Sequence, residues 1–223
     1  MQDGSACGCS LPRRALVAAA LAGLVAGDRA AFGAEAHTPD TALRDLLAGN
    51  RRFDAHRLTS FAEDLAILRE NTVAKQTPFA SVLSCSDSRV PVELVFDQSI
   101  GHVFVARVAG NVASAEVIAS LEYGAAVLET RLVLVLGHSG CGAVKAALEG
   151  KDAPGQITAL YRSLRPAVDR SGGDLTRAIR ENALIQAHLL RTSSPVLGGM
   201  IAKGTLAVRA AYYELQTETV TLL

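Results

Sequence analysis

Residues 132–136 read Leu-Val-Leu-Val-Leu, an apolar run without a polar break. A strand that shows one face to water alternates apolar and polar residues, so an unbroken run belongs to a strand covered on both faces. Such strands sit in mainly parallel sheets whose crossover helices supply the two covers. The rest of the chain agrees. Residues 79–83 and 102–108 predict two more strands, the second with its alternation broken by Arg107, and 206–213 predicts a fourth that 219–223 can pair as a closing hairpin. Helical spacing over 113–130, 141–148, 157–168 and 174–191 alternates with these strands. Two further helical patterns come first, at 40–56 behind Pro39 and at 61–71, and are expected to pack on the domain or on a partner subunit. The fold expected is α/β, a mainly parallel central sheet flanked by helices, with N-terminal helical arms.

With 223 residues, 49% of them hydrophobic, the chain can bury one substantial core. Its 22 basic and 22 acidic residues cancel, which argues against nucleic acid or an anionic membrane surface as the main partner. Aromatic residues make up 4% and Trp is absent, so a stacking platform for bases or sugars is not expected. At the N-terminus Arg13-Arg14 precedes an apolar stretch over 15–27, too short for the about 20 residues of a membrane span. With Ala34-Glu35-Ala36 behind it, this pattern predicts a twin-arginine-like export signal over 1–36, removed to leave a single domain over 37–223 in the periplasm or beyond. No stable membrane insertion is expected after removal; an amphipathic helix at a cytoplasmic N-terminus, or an anchor, is the alternative. Cys7 and Cys9 fall in that segment; Cys85 and Cys141 fall in the body, where they can form a disulfide or ligate a metal.

The chemistry concentrates at two strand ends. Behind the strand at 79–83 stands Ser84-Cys85-Ser86-Asp87-Ser88-Arg89, and in an extended segment Cys85, Asp87 and Arg89 project to one side. Behind the run at 132–136 stands Gly137-His138-Ser139-Gly140-Cys141. Sites in open α/β sheets form at the carboxyl ends of strands, and residues three apart share one face of a helical turn. Cys85, His138 and Cys141 can therefore converge on one ion. Two thiolates and one imidazole suit tetrahedral zinc with a fourth position open, the pattern of catalytic rather than structural zinc. Asp87 can accept a hydrogen bond from water at that position or close onto the metal as a fourth ligand, with Arg89 selecting between the poses.

Cys85-Ser86-Asp87-Ser88-Arg89-Val90 and Gly137-His138-Ser139-Gly140-Cys141-Gly142 resemble the two signature blocks of the β-class carbonic anhydrases. The resemblance runs from about Leu43 to the end of the chain. It implies reversible hydration of carbon dioxide to bicarbonate and a proton through a zinc-bound hydroxide, with one zinc per chain on Cys85, His138 and Cys141. It assigns Asp87 and Arg89 to the catalytic dyad. Gln76 matches a substrate-orienting glutamine lent by the adjacent subunit, and Phe104 and Tyr123 match positions lining the carbon dioxide pocket. A homodimer or homotetramer is implied. Enzymes hydrolysing carbon disulfide or carbonyl sulfide share this fold and zinc set, and a non-catalytic zinc protein with Asp87 as fourth ligand is the other alternative.

Overall fold

The strand expected to be covered on both faces is buried along its whole length, Leu132–His138, and stands near the middle of the sheet. The computed structural model describes residues 37–60, 73, 75–150 and 152–223; the expected export signal and the helical pattern at 61–71 lie outside the described residues. Among the described residues the strands are β1 (Ala80–Ser84), β2 (Val103–Arg107), β3 (Leu132–His138), β4 (Ala207–Tyr213) and β5 (Val220–Leu222). They form one sheet in the order β2-β1-β3-β4-β5. The first four run parallel and β5 returns antiparallel to β4, the hairpin the sequence suggests.

Among the described residues the α-helices are α1 (Pro39–Asp54), α2 (Val92–Val95), α3 (Ala115–Ala126), α4 (Gly142–Glu149), α5 (Thr158–Ser171), α6 (Leu175–Ser193) and α7 (Pro195–Ala202). Alternate residues of β3 feed opposite cores. Leu132, Leu134 and Leu136 meet Ala42 and Leu46 of α1 together with Val92, Val95 and Phe96. Val133 and Val135 meet Leu121 and Ala125 of α3, Ala187 and Leu190 of α6, and Leu197 of α7. A third cluster, with Cys85 and Cys141 among Leu164, Val144 and Ile179, lies at the carboxyl ends of the strands. No helix among the described residues is long and apolar enough to cross a membrane.

The first helix is held to this chain's own core rather than standing free. Thr38 caps it, its hydroxyl accepting from the Thr41 amide at 3.2 Å while the Thr41 hydroxyl accepts from the Thr38 amide at 2.8 Å. Gly49 lets α1 lie on the turn after α2, since a Cβ there would stand 1.7 Å from the Phe96 carbonyl oxygen. Buried Asn50 donates to the carbonyls of Val95 (3.1 Å) and Glu218 (2.9 Å) and accepts from the Val220 amide at 2.8 Å. Asp97, buried and left-handed with φ 45°, pairs with Arg52 and accepts from the amides of Thr59 (2.9 Å) and Ser60 (3.0 Å).

Three local expectations change. The helix expected over 113–130 ends at Ala126, because the chain turns back through Glu129 at φ 60° to enter β3. That turn is closed by the Thr130 amide donating to the Gly124 carbonyl at 3.0 Å. Helices α2 and α7 are additions. Finally, the stretch after β1 is not extended: Val90 donates to the Asp87 carbonyl at 3.1 Å, closing a turn. Asp87 and Arg89 meet across that turn, not by strand alternation.

Candidate metal centre

β1 and β3 are neighbours in register, with Ser84 opposite Leu136, so the loops behind them start level with each other. That register brings Cys85 beside His138 and Cys141. One ligand atom from each lies within 4.8 Å of the others, and all three residues are buried. The two sulfurs are 3.9 Å apart and the thiols are free, so no disulfide joins them. Tetrahedral zinc with bonds of about 2.3 Å to sulfur separates two thiolates by about 3.8 Å. The observed spacing therefore suits a shared metal.

His138 is set for the same task. Its Nδ1 lies 3.0 Å from the Ser139 carbonyl oxygen, an acceptor that calls for the proton on Nδ1. Nε2 then carries the lone pair, and it is buried without a hydrogen-bond partner. Buried polar atoms are seldom left so, and a metal bond answers the need. Ser139 is fixed in turn by the end of the sheet: its amide donates to the Tyr213 carbonyl at 2.9 Å, and its hydroxyl accepts from the Leu215 amide at 2.8 Å.

The electrostatics point the same way. Sharing a proton with Cys141 pulls Cys85 down to about 4 against the opposing effect of burial, helped by His138 and the Gly110 amide. Its neighbour Cys141 is pushed up, by that same bond and by burial. One proton thus leaves the pair easily and the second does not, a balance a divalent cation reverses by replacing the remaining proton.

Asp87 stands at the rim with a 16% exposed side chain, outside the three-residue cluster. Arg89 grips both its oxygens, Nη2 at 2.8 Å and Nε at 2.9 Å, and the Arg89 amide adds a third bond at 3.0 Å. The Arg89 side chain is the main reason that the Asp87 carboxyl is held well below the usual carboxylate range; burial opposes it and the Arg89 amide adds to it. Its Oδ2 is 3.9 Å from His138 Nε2. Arg107, noticed in the sequence as a break in alternation, clamps this loop from β2: Nε donates to the Cys85 carbonyl at 2.9 Å and Nη2 to that of Asp87 at 2.6 Å. Phe104 and Tyr123 come together with ring centroids 6.2 Å apart, between β2 and α3. Gln76 is exposed in the segment ahead of β1.

A parallel sheet presenting two cysteines and a histidine at adjacent strand ends defines an α/β protein with a metal centre of zinc type. Residues 80–220 match the family model described as carbonic anhydrase. Carbonic anhydrase 2 of Mycobacterium tuberculosis is 35% identical over 185 residues, covering 79% of this chain and 89% of that protein. Among solved structures, the β-carbonic anhydrase CcaA superposes with a TM-score of 0.64 at 28% identity, over 81% of this chain and 94% of its own. A Coccomyxa β-carbonic anhydrase, solved with acetazolamide, gives 0.65 at 27% identity, over 81% and 86%. The chain belongs to the β-class carbonic anhydrase family, and so to the carbonate dehydratase lyases.

Proposed function

We propose that this chain hydrates carbon dioxide at zinc held by Cys85, His138 and Cys141. The observation that carries this reading is the buried, unpartnered Nε2 of His138 facing two free thiols 3.9 Å apart. Zinc in such a site supplies a Lewis acid that lowers the pKa of bound water, bringing a nucleophile within reach of moderate pH. The chain's own residues do the rest. Asp87, kept ionised by Arg89, is a standing hydrogen-bond acceptor with Oδ2 3.9 Å from His138 Nε2, and a poor proton store. It would orient a group carried by a metal on Cys85, His138 and Cys141, and if released from Arg89 it could itself serve as a ligand. Arg107 fixes the loop that carries both Cys85 and Asp87.

Phe104 and Tyr123 are proposed to line the carbon dioxide pocket, with Gln76 of an adjacent subunit orienting the substrate. A homodimer or larger assembly is supported by the apolar surface beside edge strand β2, where Tyr123 is 47% and Val127 60% exposed. Export is proposed from Arg13-Arg14 and the apolar stretch behind them, and N-terminal sequencing of the mature protein tests it.

Two thiolates would pass more negative charge to zinc than imidazoles do, so water bound there would be less acidified than in a three-histidine site. Stopped-flow carbon dioxide hydration on metal-analysed protein should show activity climbing above neutrality. A flat profile from about pH 6 to 9, a range around the pKa of about 7 for a three-histidine site, contradicts it. Zinc at one per chain with no hydration at alkaline pH would leave a metal-binding protein without this activity.

A further inference from the structure

Beneath Cys85 runs a buried hydrogen-bond relay that the chemistry above does not use. Asn182 and Gln186, one turn apart on α6, are 0% and 2% exposed. The Ala113 amide, which can only donate, lies 2.9 Å from one end of the Gln186 amide and makes that end Oε1. Gln186 Nε2 therefore faces Asn182 Oδ1 at 3.0 Å, and it also reaches the Ser163 carbonyl at 3.4 Å. Asn182 is left with Nδ2 toward the Gly110 carbonyl, and the distance there is 2.8 Å. The relay ends on the metal site, because the Gly110 amide donates to Cys85 Sγ at 3.3 Å.

Gly110 is where such a relay has leverage. It sits at φ 75° and ψ 15°, a conformation natural to glycine. A Cβ there would meet the Leu164 methyls at 3.1 and 3.3 Å, so the loop is packed against α5. The Gly110 C=O and N–H lie in the two peptide planes that meet at this permissive residue, so a bond to its carbonyl removes part of the freedom with which its N–H could leave the sulfur.

We propose that Asn182, oriented by Gln186, is a positioning residue of the metal centre that aims the Gly110 N–H at the Cys85 sulfur. A hydrogen bond to a metal-bound thiolate draws electron density away from the metal, so this relay would sharpen a bound metal's acidity from the buried face of α6. The inference rests on the zinc reading above. A purely structural amide pair would hold α6 to the loop without changing the sulfur.

The full-length chain loaded with cobalt(II) in place of zinc separates these roles through its sulfur-to-cobalt charge-transfer absorption. Asn182→Asp keeps the shape but puts a carboxylate against the Gly110 carbonyl, and Leu190→Ala opens a cavity elsewhere on the same helix. Asn182→Asp is expected to move the band to lower energy and to weaken zinc binding about 10- to 100-fold in chelator competition. Leu190→Ala is expected to lower Tm and leave both readouts unchanged. Should Asn182→Asp not fold, Asn182→Ser, too short to reach Gly110, takes its place. A folded Asn182 variant with the wild-type band and affinity overturns the proposal, as does Leu190→Ala reproducing the shift. Failure of both Asn182 variants to fold makes the pair a folding element and also overturns it. A wild-type chain that shows no thiolate–cobalt band overturns the metal centre itself, which tells the two failures apart.

Discussion

At the scale of single residues, Cys85 and Asp87 are two positions apart and do different work. Cys85→Ala leaves two ligands of three, and metal content and activity should fall together, read by metal analysis beside stopped-flow rates. Asp87→Ala should retain zinc, since Asp87 stands outside the cluster, yet lose at least about 100-fold in kcat/KM for want of its charged acceptor. A fully active Asp87→Ala protein would remove the orienting role proposed for it. The ligand types were legible in the sequence because cysteine and histidine behind two apolar runs have few other uses. Arg107, Gly110 and Asn182 were not, because they act through main-chain carbonyls and amides that leave no mark in a sequence. Arg107 came nearest, as a charge where an alternating strand wanted an apolar residue.

At the scale of elements, the turn after α2 is tied to α1 and to the segment behind it through one buried carboxylate, which pairs with Arg52 and accepts from Thr59 and Ser60. Burial alone would raise the pKa of Asp97, but Arg52 and the Ser60 and Thr59 groups outweigh it and bring it from an ordinary 3.8 down to about 2. A group depressed in the folded state stabilises fully above its unfolded pKa, and that stability is lost as pH falls toward the folded one. Between about pH 4 and 2 the protein should therefore lose about 2 kcal/mol through this group. Asn tolerates the left-handed backbone, so Asp97→Asn tests the charge alone: its unfolding free energy should be lower at pH 7 and flatter across that acid window. Equal acid slopes for wild type and variant would assign the loss elsewhere. The strands were readable because an apolar run buried on both faces permits few alternatives. Helix α2 is too short to show a period, and Gly198-Gly199 in α7 reads as a break although Ser194 caps that helix, accepting from the Leu197 amide at 3.0 Å.

At the scale of the whole molecule, assembly and metal loading are the open degrees of freedom. The apolar rim of β2 and α3 predicts self-association, and sedimentation of Tyr123→Glu should show a lighter species than wild type, as Tyr123 is 47% exposed in the single chain. The ligand positions are set by the pairing of β1 with β3 residue for residue, Ser84 level with Leu136. Both ligand loops spring from strands buried along their whole length, so the sheet itself holds the framework of the site. Chelation should leave the far-ultraviolet circular dichroism unchanged, unlike small zinc domains that unfold without metal. Returning zinc at about 100 times its dissociation constant should add about 2.7 kcal/mol of apparent stability. The register of β1 against β3, rather than the ion, then sets where Cys85, His138 and Cys141 stand, and the metal-free chain is expected to keep that register.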